Sequence, residues 1–127
     1  MVGKFLYSKL NTILQSEFDC KLFPLIATHN SQLPFIVYNQ INSNPVFAKG
    51  AHPMVDHLYQ LDIYADTYRE CQAITERVIE LLNFQSGFDA NSDLCVFSCT
   101  YTNQSDGYND EDKTYRVTLN FKIIINN

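Results

Sequence analysis

The spacing of apolar residues predicts two amphipathic helices. Residues 3–15 repeat apolar side chains at helical intervals and leave polar ones for solvent. Residues 67–83 show the same period, and Thr67 with Glu70 has the spacing of a capping box at the helix start. The apolar positions are Leu6, Leu10, Ile13 and Leu14 in the first helix and Cys71, Ile74, Val78, Leu81 and Leu82 in the second.

Elsewhere the apolar residues alternate with period two, which predicts β-strands. Four such segments are residues 35–42, 55–65, 94–102 and 114–125. A short strand around Leu22–Phe23, before Pro24, is left open. The turn-rich stretches 43–54 and 103–113 separate the strands of each pair and are long for hairpin connections, so we expect two long, mobile loops.

The order of these elements, helix–strand–strand–helix–strand–strand, predicts an α+β fold. Strands joined by hairpins pair antiparallel, and two helices cover one face of a sheet. We therefore expect a single-layer, four-stranded antiparallel sheet with both helices packed on one face. The 127 residues suit one domain, residues 1–127. The predicted core is Leu6, Leu10, Ile13, Leu61, Ile63, Ile74, Val78, Leu81, Val117, Leu119 and Phe121.

Polar strand positions predict that the other sheet face has no covering layer. Neither helix is left to cover it, so water or another chain must do so. The positions assigned to this face are Tyr38, Asn39, Gln40, Gln60, Asp62, Ser98, Thr100, Arg116, Thr118 and Asn120.

Charge and hydropathy exclude some classes of partner. The net charge of −5, without a cluster of Lys or Arg, argues against non-specific nucleic-acid binding. No apolar run approaches the roughly 20 residues that span a bilayer. The N-terminus lacks the apolar region of a signal peptide, so a cytoplasmic location without a membrane partner is the default expectation.

The cysteines and histidines form no recognisable reactive motif. The four cysteines contain no CxxC pair, and Cys95 and Cys99 are expected on one strand face about 13 Å apart, too far for a disulfide. We expect buried free thiols, including an unreactive Cys71 on the apolar stripe of its helix. His29, His52 and His57 lack the spacing of a metal or hydrolase motif.

The acidic stretch from Asp106 to Asp112 lacks the spacing of a calcium loop and is interpreted as a solvated segment. No metal, cofactor or catalytic residue is therefore predicted, and the chain is not expected to be an enzyme.

Three segments in their order along the chain resemble the bacteriophage tail completion family, also described as tail terminator or tail-to-head joining proteins. The segments are LPFIVY at 33–38, LDIYAD at 61–66, and the pattern YRxxLxFxI at 115–123. The resemblance covers essentially the whole chain, although the 43–54 and 103–113 stretches depart from it.

This resemblance implies a non-enzymatic structural protein of the virion tail, present in the host cytoplasm during assembly. It implies a homo-oligomeric ring, expected to be a hexamer, that caps the tail tube and offers a surface for head attachment. The partners would be further copies of the chain, tail tube proteins and head-connector proteins. Candidate interface residues are Tyr38, Gln40, Phe47, Tyr108, Asp110 and Arg116, with Phe47 and Tyr108 as aromatic anchors in polar loops.

Three alternatives remain open from the sequence. Another phage neck or connector protein would have the same general character. A small ligand-binding α+β domain would instead show a concave apolar cavity with converging polar groups. An enzyme would show a cleft with strongly perturbed titratable groups.

Overall fold

The computed structural model describes residues 2–25, 32–46, 54–90 and 92–126. Two helices and six strands occur in these ranges. In chain order they are α1 Val2–Phe18, β1 Lys21–Pro24, β2 Phe35–Val46, β3 Met54–Ala65, α2 Tyr68–Leu82, β4 Gly87–Asp89, β5 Leu94–Asn109 and β6 Thr114–Asn126.

All six strands form one mixed sheet in the order β1-β2-β3-β6-β5-β4. The four long strands pair antiparallel, as predicted. The four-stranded antiparallel description is nevertheless wrong in detail, because β1 adds to β2 in parallel and β4 adds to β5 at the opposite edge. These edge strands have only four and three residues, too few for a clear alternation.

Both helices pack on one face of the sheet, as the sequence predicts. Ile36, Ile63 and Val117 lie directly opposite one another on β2, β3 and β6 and are fully buried. Directly opposed residues point to the same face, and the register places every fully buried strand residue on this side. Helix α1 contacts β1 and β2, α2 contacts β3, β5 and β6, and the helices contact each other.

Each helix buries most of the apolar side chains that the helical spacing of the sequence predicts to be buried. Thr67 caps α2, since its Oγ accepts the backbone N–H of Glu70 at 3.1 Å. Arg77 on α2 joins the helices through a 3.0 Å ion pair with Glu17 on α1. Ile13 and Leu81, both predicted core residues, are only half-buried, so the phase of each stripe is slightly shifted. The fully buried helix residues are Leu6, Leu10, Leu14, Cys71, Ile74, Val78 and Leu82.

The described parts of the two predicted long loops are mostly strand. Strand β2 continues to Val46 and β3 begins at Met54, so only residues 47–53 separate them, and these lie outside the described residues. Strand β5 continues to Asn109, which leaves residues 110–113 as a tight turn before β6. The pairing partner overrides the weak strand propensity of these polar residues, because ladder hydrogen bonds need no apolar side chain. The predicted residues Phe47, His29 and His52 also lie outside the described residues.

Bulges in β5 change which face its residues occupy. The register shifts between Val96 and Ser98, which inserts Phe97 as an extra residue. Cys95 is therefore exposed on one face of the sheet, whereas Cys99 is buried on the other. The prediction that the two cysteines share a face was wrong, and so was the prediction that all four thiols are buried. The sequence carries no glycine at this bulge to signal it.

Candidate assembly surfaces

One face of the sheet, here called the open face, has no layer over it among the described residues. It carries Val37 on β2, Asp62 and Leu58 on β3, and Thr118 on β6, all half-buried. The sheet curls so that this face forms a groove of about 460 Å³ from Ile41 on β2 to Thr102 on β5. The predicted uncovered face therefore exists, and it is concave.

Polar side chains on the open face hydrogen-bond mainly to one another. The carboxylate of Asp62 accepts the Thr118 hydroxyl at 2.6 Å and the Gln60 amide at 3.2 Å. Asn120 donates to the side-chain oxygen of Asn103 on β5. These hydrogen bonds connect side chains of β3, β5 and β6 across the open face.

Aromatic rings form a corner of the open face near β1. The rings of Phe35 and Tyr64 stack with centroids 5.0 Å apart, and Phe23 meets Phe35 edge-on at 6.0 Å. All three side chains remain partly exposed. Grouped aromatic rings beside fixed polar groups are typical of surfaces that proteins bury on association.

The β5–β6 hairpin brings three of the predicted interface residues together. Tyr108, Asp110 and Arg116 line a cleft of about 320 Å³ with Tyr64. The Arg116 guanidinium lies across Gly107, so a Cβ added there would come within 2.9 Å of Nη2 and would displace the flexible end of this side chain. The cleft presents an arginine and a carboxylate beside aromatic rings.

The other two described candidates, Tyr38 and Gln40, lie in a different place. They line a groove of about 690 Å³, here called the α1 groove, with Tyr7, Leu25 and Tyr59. Alternate residues of a strand point to the same face, so Tyr38 and Gln40 lie on the same side of β2 as Ile36, which is buried in the core. Their assignment to the uncovered face was therefore wrong.

The residues of the α1 groove differ in burial, because Gln40 is exposed whereas Tyr38 and Tyr59 are buried. The Nδ1 of His57 lies 2.8 Å from Oε1 of Gln40, which can accept its N–H. Burial raises the pKa of both Tyr38 and Tyr59 above the ordinary tyrosine value. These phenols are therefore neutral and act as apolar rings with a hydroxyl.

A third surface was not predicted from the sequence. Phe84, Phe88 and Phe97, here called the phenylalanine edge, lie beside β4 and β5 and are mostly exposed. Phe88 pairs with Cys95 on β5, and the N–H of Phe84 donates to the Cys99 carbonyl at 2.7 Å. Phe84 and Phe88, within the otherwise polar stretch FQSGF at 84–88, were the available signal.

Three of the four thiols are buried and are held in the neutral form. Burial raises the pKa of Cys20 and Cys99 to about 12 and that of Cys71 to about 11, which suppresses the reactive thiolate. Among the described residues, no three His, Cys, Asp or Glu side chains are grouped to hold a metal ion. None of the helices described is long and apolar enough to cross a membrane.

Comparison with known proteins supports one family. The model of the family "Tail completion protein gp17" matches residues 22–126. A chain in the solved structure of a native gene transfer agent virion has the same fold, with a TM-score of 0.68 at 12% identity over 96% of this chain and 92% of that one. No curated protein matches significantly. The family match covers all six strands and α2, and by it the chain belongs to the phage tail completion proteins, a family of tail structural components.

Proposed function

We propose that this tail completion protein is a tail terminator that forms a ring, caps the tail tube and offers a surface to the head. The ring has six copies in this proposal, and the chain acts in the virion tail after assembly in the host cytoplasm. Residues 1–127 form one domain, which is supported by the single hydrophobic core of the described residues.

The open face is the observation that carries the proposal. A six-stranded sheet with helices on one side leaves half of its strand side chains without a second layer in the described ranges. These side chains are fixed by mutual hydrogen bonds and flanked by the Phe35–Tyr64 stack. A surface that is ordered in the monomer but not covered by it suits burial by neighbouring subunits or tail proteins.

The candidate residues divide between two contacts in this proposal. Tyr38 and Gln40 belong to the α1 groove, and Tyr108, Asp110 and Arg116 belong to the hairpin cleft. Two unlike surfaces on one subunit suit a ring, because head-to-tail contacts close when the rotation between copies permits it. Phe47 stays a predicted anchor that lies outside the described residues.

The ligand-binding alternative also receives some support. The α1 groove is concave and lined largely by aromatic and apolar side chains, which that alternative predicts. The α1 groove is open to the protein surface rather than enclosed. The match to a tail completion family favours another protein as its occupant.

Deletion of the gene from its phage, with complementation in trans, tests the proposal. We expect tails of irregular length that do not join heads, and rescue by the wild-type chain. Val37→Arg places a charge on the open face and should fail to rescue, whereas Glu76→Arg, on the exposed side of α2, should rescue fully. Circular dichroism of both purified variants checks that each is folded.

Two outcomes would contradict the proposal. Normal tails joined to heads in the deletion strain would remove the terminator function. Rescue by folded Val37→Arg would show that assembly does not need the open face.

A further inference from the structure

The outer edge of β5 is covered along its first half. Strand β4 pairs with Leu94–Val96. The chain that leaves α2 covers the next residues, because the N–H of Phe84 donates to the carbonyl of Cys99 at 2.7 Å. The side-chain oxygen of Asn83 likewise accepts the N–H of Tyr101 at 3.0 Å. Beyond Tyr101, no strand pairs with this edge among the described residues.

The uncovered stretch, residues 103–109 and here called the free edge, is regular strand. It pairs with residues 114–120 of β6 without interruption, and its side chains are mostly exposed. The backbone groups on its outer side are a template for an added strand. Its sequence, NQSDGYN, includes no proline and no lysine, which are common devices against such addition.

Other edges of the sheet are less suited to accept a strand. Beyond β1, the outer edge of β2 carries a bulge at Ile41 and a proline at position 45. Strand β1 has four residues and ends in Pro24, and β4 has three residues. Bulges, proline and short length all blunt an edge, so the free edge of β5 is the most receptive of those described.

Gly107 leaves a space at the free edge that a positive charge reaches. Gly107 lies opposite Arg116, which lies opposite Tyr64, and Tyr64 shares the open face with Asp62. The guanidinium extends over Gly107, since a Cβ added there would come within 2.9 Å of Nη2. Glycine inside a strand often marks a place where another backbone approaches closely.

The charge of Arg116 is available to a partner at this point. Arg116 forms no ion pair with a described residue, although Asp110 lines the same cleft. A strand added to the free edge would place one side chain opposite Gly107, on the open face and beside the guanidinium. A carboxylate there would form charge-assisted hydrogen bonds with Arg116.

The sheet face that carries the helices is aromatic beside the free edge. Asp106 lies opposite Val117, which is buried in the core, so Asp106 and Tyr108 point to this face. The Asp106 carboxylate already accepts the Tyr68 hydroxyl at 2.9 Å. The side chains of Tyr68 and Tyr108 are about half exposed. In an added strand, apolar residues on both sides of the acidic one would pack against these rings.

A second copy of the chain supplies no such strand from the edges described. Residues 39–46 of β2 and 21–24 of β1 contain no Asp or Glu. Asp89 of β4 is buried. Asp106 of β5 points to the helix-covered face, so it cannot stand opposite Gly107, because opposed residues share a face. A different polypeptide therefore suits the free edge better.

We propose that the free edge of β5 receives an extended strand of another virion protein, which places a carboxylate beside Arg116 and apolar side chains beside Tyr68 and Tyr108. Backbone hydrogen bonds hold the strand, and its alternating side chains give specificity. The added strand takes only Arg116 from the hairpin cleft, so this contact is additional to those of the proposed ring.

Binding of a designed strand to the purified chain tests this recognition. The probe is a short fluorescent peptide in which Thr alternates with Val and Glu replaces the central Thr. Fluorescence anisotropy should show saturable binding, and Arg116→Gln should weaken it about fivefold, as for an exposed ion pair. Gln in place of Glu in the peptide should weaken it equally, with no further loss when both changes are combined. The matched control Lys113→Gln, at the hairpin turn, removes the same charge and should leave the affinity unchanged.

Methylated peptides show whether the probe adds as a strand. Only alternate N–H groups of an added strand point to the edge, so N-methylation of one alternate set should abolish binding and that of the other set should leave it intact. Absence of binding, equal effects of the two sets, or equal binding of a peptide with Lys in place of Glu would overturn the proposal. The terminator function would stand in each case, because the deletion phenotype is independent of these results.

Hydrogen exchange tests the contact in the particle. Alternate amides of residues 103–109 should exchange at least about a hundredfold more slowly in assembled tails than in the purified chain. Unchanged exchange in tails would overturn the contact. The same protection in a concentrated solution of the chain alone would show that a second copy provides the strand, and would also overturn it.

Discussion

The two faces of β3 differ although their residues alternate within one strand. Leu61 and Ile63 point towards the helices and are fully buried, whereas Gln60 and Asp62 point to the open face and stay half-exposed. The first pair contacts apolar neighbours from other strands, and the second pair is held by hydrogen bonds. Stability therefore depends mainly on one face, and the other is free to evolve contacts with partners.

A matched pair of leucine truncations should give the largest difference between the faces. Leu61→Ala removes a fully buried side chain and should lower the free energy of unfolding by about 2–5 kcal/mol. Leu58→Ala, in the same strand but on the open face, should cost less than about 1 kcal/mol because its site is already half-exposed. Urea denaturation of both variants measures the difference. Equal costs would mean that the open face contributes to the core.

Loss of the open-face network should have a smaller effect. Asp62→Ala removes the acceptor of the Thr118 hydroxyl and the Gln60 amide, and should cost about 1 kcal/mol because water can reach both donors. Assembly in the complementation assay should be impaired more than stability. If denaturation showed a loss near that of Leu61→Ala, the network would be a folding element rather than a prearranged contact surface.

Replacement of Phe84 by glycine should raise the stability of the monomer. Phe84→Gly relieves the left-handed backbone at a side chain that is 80% exposed, so the free energy of unfolding should rise by up to about 1 kcal/mol. Asp19→Gly is the control, because Asp19 also has positive φ at 55° but tolerates it better. Thermal denaturation of both variants measures the effect. A destabilised monomer would show that Phe84 serves folding.

The smallest effect is expected from pH. Desolvation lowers the pKa of His57 below its ordinary value of 6.5, and this outweighs the opposing charge of Asp56. As the pH falls, His57 is protonated in the unfolded chain before it is protonated in the folded protein. The contribution of His57 to the free energy of unfolding is therefore present above pH 6.5 and is lost as the pH falls through the folded-state pKa. His57→Gln should make this part of the pH profile flat. An unchanged profile would assign the dependence to other groups.

Regular patterns made much of the fold predictable from the sequence. The capping residue Thr67, the alternation of β6 and most of each helix stripe, apart from Ile13 and Leu81, depend on local spacing and were predicted correctly. The paired residues 103–109 were mistaken for a loop, since a strand partner rather than side-chain pattern holds them extended. The bulge at Phe97 and the left-handed Phe84 left no composition signal.

The candidate surfaces were predictable only in part, because they depend on how the strands pair and on which sheet face each residue occupies. Tyr108, Asp110 and Arg116 meet because β5 and β6 pair closely up to the turn. Tyr38 and Gln40 were placed on the wrong face, because polar side chains in the middle of the strand were taken to indicate the uncovered side. The covered face also ends in a groove that accepts polar residues.

A cryo-electron microscopy reconstruction of the head–tail junction of the phage tests the central claim most directly. We predict six copies of the chain in a closed ring at the head-proximal end of the tail tube, with the open face of each copy packed against a neighbouring protein. A chain located elsewhere in the particle, or a ring whose open faces remain in solvent, would contradict the account.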